Sequence, residues 1–220
     1  VGDLATLMQG ISDNTATDML LARVGRSPVE TLVVDWGMPA APSANPLLPF
    51  MGITQTFHLF RSFPLTTAEA WPTLGEAQQI DFLQNQIVPL GNAFGAFFHA
   101  PLLTRVTWRA SPLEICRAFA SLRYGTYAGS EAMRVVDRAM SAAAAQPNVR
   151  AEWDRVWYKG GSLASSANGT HVLVHVWLLE DAGRDPYVVV VMANSDGGGI
   201  NAVNIQSVAG RILQLTAALP

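Results

Sequence analysis

Trp157-Tyr158-Lys159-Gly160-Gly161-Ser162, taken with Ser12-Asp13-Asn14 near the start of the chain, decides how the remaining sequence is read. Of the 14 lysines and arginines in 220 residues, Lys159 is the one lysine. It follows the apolar run Val156-Trp157-Tyr158 and precedes two glycines. Beyond the next turn comes Thr170-His171-Val172-Leu173-Val174-His175-Val176-Trp177. The pattern predicts a hairpin with Lys159 near the end of its first strand. Glycines in a strand let a ligand lie against the backbone, and an ammonium beside them can hold an anion or a proton. The residues alone leave open a plain hairpin that happens to carry a lysine.

Outward from this stretch, the runs 155–163, 170–179 and 186–193 read as three consecutive strands. Asp181-Ala182-Gly183-Arg184-Asp185 makes a turn between the last two. Asn194-Ser195-Asp196-Gly197-Gly198-Gly199 ends the sheet, and 202–219 is an amphipathic closing helix. Upstream, Leu4, Leu7 and Met8 mark a short helix that stops at Gly10. Ala16, Met19, Leu20 and Val24 mark a second over 15–24, ended by Gly25, for which Ser12, Asp13 and Asn14 also read as caps. Pro28 opens a third over 29–34. Four prolines between 38 and 50 predict an extended loop. Thr54 caps a helix to Arg61, and 75–88 gives another. Phe94, Phe97 and Phe98 form an aromatic patch that reads first as packing. Ser111-Pro112-Leu113-Glu114 is a capping box for a helix to about Tyr124, and Ser130 opens one through about Ala145. Helices, then an antiparallel meander, then a helix predict an α+β fold. We expect one domain over 1–220, with 1–150 mostly helical and 151–220 holding the strands and closing helix.

Composition removes several functions. A net charge of −3 and a pI near 5.8 give no electrostatic footprint for nucleic acid. Only 14% of residues are charged, so a large buried core is expected. No apolar run reaches the roughly 18 residues of a transmembrane segment. Cys116 cannot form an internal disulfide and reads as core filler. His171 and His175 share a strand face but stand roughly 13 Å apart, too far to chelate one metal. Gly197-Gly198-Gly199 lacks the lysine and spacing of a phosphate loop, and no cofactor or metal is expected. The chain opens on Val1 inside a helix-like pattern, so its natural N-terminus is expected elsewhere.

Ser12-Asp13-Asn14 in a helical region, with Lys159-Gly160-Gly161 on a distant strand followed by two more strands and a helix, resembles the penicillin-recognising serine hydrolases. The order is similar to the class A β-lactamase branch, marked by S-x-x-K, S-D-N and K-T-G. The longer stretch 38–108 resembles the longer β-lactamase-like hydrolases and lipoproteins of actinobacteria. The resemblance implies a β-lactamase/transpeptidase-like fold whose N-terminal part lies outside this chain, a small acyl substrate, and export from the cytoplasm.

Three departures qualify it. No serine here is followed three residues later by lysine, so the nucleophile segment is absent from 1–220. Gly160 stands where K-T-G has a hydroxyl used for a substrate carboxylate. No E-x-x-L-N supplies a water-activating glutamate; Glu69 and Glu76 read as helix N-terminal residues. By resemblance, Ser12 relays a proton, Lys159 keeps the site electropositive and orients Ser12, and Asn14 holds an acyl-side amide. Gly160 and Gly161 admit substrate, the N–H of Ser162 is half of an oxyanion hole, and Asp13 braces the loop. The implied partner is a complementary N-terminal fragment; the rival reading is an inactive binding protein of the same fold.

Overall fold

The strongest local signals become the elements that frame the cleft. The computed structural model describes residues 1–38, 52–91, 110–126, 129–144, 149–165, 169–195 and 198–219. The proline-rich loop, except Met38, and the patch of Phe94, Phe97 and Phe98 lie outside them. Helix α1 (Gly2–Gly10) leads into α2 (Asn14–Val24), capped by Asp13, whose Oδ1 accepts the Ala16 N–H at 2.7 Å. Helix α3 (Arg26–Asp35) starts earlier than expected, because Gly25 at φ 84° turns the chain directly into it.

Thr54 does not cap α4 (Ile53–Ser62). That work falls to Asp18 of α2, which accepts the N–H groups of Ile53 at 2.5 Å and Thr54 at 3.1 Å. The carboxylate lies so near the chain that a Cβ on Gly52 would collide with it. A further helix, α5 (Leu65–Ala70), was not expected, and Glu69 is its penultimate residue rather than an N-terminal one. Glu76 does open α6 (Glu76–Phe82). The helix expected to reach 88 instead widens into a π turn at Leu83–Ile87 and a 3-10 turn at Val88–Leu90, where Pro89 has no N–H to continue it.

Helix α7 (Pro112–Tyr124) has its capping box, with Glu114 Oε2 accepting from Ser111 N–H at 2.6 Å. Helix α8 (Ser130–Ser141) stops short of Ala145. The guanidinium of Arg150 donates to the carbonyls of Ser141 and Ala143, at 2.5 and 2.8 Å, and so holds the chain in a terminal turn.

Among the described residues, β1 (Arg155–Ser165), β2 (Gly169–Glu180) and β3 (Tyr187–Asn194) form one antiparallel sheet in that order. Lys159 lies opposite Val176 and Gly160 opposite His175. Lys159 therefore sits within β1 and not near its end, since pairing continues to Ser165 past an irregularity at Leu163/Ala164. Helix α9 (Ala202–Ala217) closes the described chain.

Side-chain alternation gives the sheet two buried faces. Val156, Tyr158, Trp177 and Leu179 pack with Trp153 and with Ala209 and Leu213 of α9. Trp157 and Leu178 pack on the other side with Met140, Phe119, Leu122 and Val136 of α7 and α8. A separate core of Leu59, Phe60, Ala68, Trp71 and Ile87 holds α4 to α6. Cys116 is only half-buried, against the carbonyl of Val188 at 3.7 Å.

An ion cluster ties helices to sheet. Glu180 accepts from Arg123 at 2.8 and 2.9 Å, from Arg155 at 2.7 Å and from the Tyr124 hydroxyl at 2.5 Å. Asp137 of α8 pairs with Arg155 and accepts from the Trp157 indole at 2.8 Å. Burial alone would raise the Glu180 pKa, but these donors outweigh it and hold the carboxyl at about 2. Burial and the bond to Glu180 push Tyr124 up to about 12.

Candidate active site

Gly10 ends α1 and Asp13 starts α2, so the two helices meet at a sharp connection through Ile11 and Ser12. Ser12 takes φ 56°, the one described non-glycine residue in the left-handed region. Such a conformation costs a non-glycine residue about 1–3 kcal/mol and persists where the surroundings enforce it. The connection projects toward β1, and Lys159 Nζ donates to Ser12 Oγ at 2.6 Å across 147 positions of sequence. The same Nζ donates to the carbonyl of Gly160 at 2.5 Å. Among the described residues no carboxylate pairs with this amine, and burial pushes its pKa below the ordinary lysine value.

A cavity of about 1310 Å³ opens here, lined by Ser12, Asn14, Lys159, Gly160, Gly161 and Ser162. Two stretches that the sequence separates are thus brought to one wall. Asp13 does not line the cavity; its carboxylate is spent on the α2 cap. Glu114 is the one acid among the described lining residues, held in the capping box of α7.

Sequence reasoning weighed His175 only as a metal ligand and passed over Tyr158. The two form a buried pair in the same cavity wall, with the Tyr158 hydroxyl 2.7 Å from His175 Nδ1. His175 stacks on Trp177 with ring centres 5.5 Å apart. Burial raises the tyrosine pKa and lowers the histidine pKa, which keeps both neutral. The Tyr158 hydroxyl lies where a Cβ on Gly160 would point, so any larger residue there would collide with it. The legible signal was a glycine directly opposite a histidine on one sheet face. His171, by contrast, bonds the carbonyl of Ser195 at 2.9 Å, away from His175.

A sequence model described as the beta-lactamase enzyme family matches residues 1–216. No curated protein sequence matches the chain. Among solved structures, the β-lactamase from Streptomyces albus G is similar, with a TM-score of 0.57 and 16% identity. The match covers 98% of this chain and 63% of that one. An ancestral class A β-lactamase gives 0.56 at 15% identity, covering 97% and 64%. A mutant chromosome-encoded β-lactamase of Vibrio parahaemolyticus gives 0.53 at 13% identity, covering 98% and 64%. At such identities the likeness is one of fold, and it is the α+β, β-lactamase-like fold that the motif order implied. The chain spans less than two thirds of the length of these structures.

Proposed function

The chain belongs to the β-lactamase enzyme family, and from that premise we propose that it is a serine hydrolase cleaving an ester, amide or β-lactam by acyl transfer. The observation that carries this is the 2.6 Å contact of Lys159 with Ser12 at the cavity wall. In this reading residues 1–220 form one β-lactamase-like domain, and the S-x-x-K nucleophile is supplied by a segment outside them. That segment is also the partner that completes the fold, and the protein works outside the cytoplasm.

The residues divide the task. Ser12 passes a proton to the leaving group, and Lys159 orients it and keeps the site electropositive. Asn14 holds the acyl-side amide, while Gly160 and Gly161 let substrate lie along β1. The N–H of Ser162 supplies half of an oxyanion hole, and Asp13 braces the loop by capping α2. With no E-x-x-L-N glutamate in 1–220, the acyl-enzyme hydrolyses slowly. The expected progress curve with a chromogenic β-lactam or p-nitrophenyl ester is a burst followed by slow turnover. A flat trace at the buffer rate would count against the hydrolase.

A second reading, an inactive binding protein, is favoured by one observation: no serine in 1–220 has lysine three residues on. It predicts saturable, non-covalent binding of the same β-lactam, with unchanged ligand recovered afterwards.

A further inference from the structure

Tyr158 and His175 are buried in the cavity wall and have no part in the acyl-transfer roles assigned above. We propose that the Tyr158 hydroxyl, oriented by the Nδ1–H of His175, is a substrate-binding donor that receives a carboxylate of the acyl substrate. The inference rests on the hydrolase reading and deepens it. It names a charged group that the substrate carries and the residues that read it.

A count of hydrogens carries the argument. A neutral phenol and a neutral imidazole hold one polar hydrogen each, and the 2.7 Å bond between Oη and Nδ1 uses one of the two. The other finds no acceptor among the described residues. On Nε2 it would sit on a nitrogen sealed from solvent, where a donor stays unpaired in every state. On Oη it lies over Gly160, which puts no side chain between the hydroxyl and the cavity. Nδ1–H then donates to the phenol oxygen, and the phenol O–H is left for a ligand. Burial disfavours the charged form of each partner, so the pair keeps this count.

The wall selects the sign of that ligand. Lys159 Nζ donates to the Gly160 carbonyl at 2.5 Å, so the one lysine of the chain stands beside the same glycine. Glu114, the one acid among the described lining residues, is bound in the cap of α7. An anionic oxygen is favoured there over a neutral carbonyl, because a hydrogen bond to a charged acceptor is roughly twice as strong. His175 stacks on Trp177, which fixes the plane of the imidazole and the bond it offers the phenol. Tyr158 thus touches the substrate, and His175 is a positioning residue.

The test compares a chromogenic cephalosporin with its methyl ester, which lacks only the free carboxylate. In the protein carrying its nucleophile segment, kcat/KM should favour the acid by about 10–100-fold, the range of one hydrogen bond to a charged group. Tyr158→Phe should remove that preference through KM rather than kcat. His175→Leu should do the same, and His175→Asn, which keeps an N–H near the place of Nδ1, should restore part of it. A preference untouched by Tyr158→Phe, or none in the unaltered protein, would overturn the carboxylate role and leave the hydrolase standing. Turnover of neither compound would count against the hydrolase alone, and the ratio of the two dissociation constants would then decide the carboxylate role by the same margin. Nitrogen-15 NMR of the unaltered protein guards against a misfolded variant. His175 should carry its proton on Nδ1, and a proton on Nε2 would overturn the proposal.

Discussion

Ser12 and Gly160 each hold a backbone or side-chain space that only certain residues tolerate. Ser12→Ala and Ser12→Gly both remove the hydroxyl that meets Lys159, but only glycine accepts φ 56° without strain. Ser12→Gly should therefore be more stable than Ser12→Ala by about 1 kcal/mol in urea unfolding, with both inactive. Equal stabilities would mean that the left-handed conformation is not maintained. At Gly160 the added Cβ of alanine meets the buried Tyr158 hydroxyl, which its bond to His175 holds in place. Gly160→Ala should cost about 1–3 kcal/mol, and Tyr158→Phe in the same chain should recover part of that. Strict additivity of the two changes would rule out the collision. The K-G-G departure from K-T-G was legible as a fact of sequence. The tyrosine that fills the space over Gly160 was not, because it reaches past one neighbour to a histidine on the next strand.

Between elements, the cluster on Glu180 joins α7, β1 and β2. Its folded pKa, about 2, lies below the ordinary 4.5. The stability it contributes is thus complete above about 4.5 and lost as pH falls toward 2. Tyr124 has the opposite sign: raised from 10 to about 12, it contributes stability below 10 that is lost as pH rises toward 12. Urea midpoints measured across acid pH should fall steeply for the unaltered protein and much less for Glu180→Gln. Matching slopes would remove the cluster as the cause. Elements themselves were readable wherever one local rule decided them: the capping box at Ser111, the alternation along β2, the glycine after α2. They were misread where the deciding contact is remote. Asp18 caps a helix 35 positions away, and Arg150 closes α8 from beyond its end. Such contacts leave no periodic trace in the sequence. That Ser12 and Lys159 would meet was legible through short motifs in a fixed order. Tyr158 and His175 belong to no such motif.

Taken whole, the described structure leaves apolar surfaces uncovered. The outer edge of β3, with no charged residue from Tyr187 to Asn194, has no strand paired to it among the described residues. Val208, Ile212 and Leu215 of α9 are exposed on one side, followed by Leu219. An unpaired apolar edge and an uncovered helix stripe favour association. Sedimentation of residues 1–220 alone should therefore show species heavier than 23.6 kDa. A monodisperse monomer with a cooperative melt would contradict this. The central claim, however, concerns the cleft where the α1–α2 connection meets β1, and its most direct measurement is the rate of acyl transfer. The burst rate with a chromogenic ester should be compared between the unaltered protein and Lys159→Ala, with matched circular dichroism. The account predicts a fall of about 10²–10⁴-fold, the usual share of a positioned proton-transfer group. Equal rates in the two proteins would show that the contact between Lys159 and Ser12 is not the site of the chemistry.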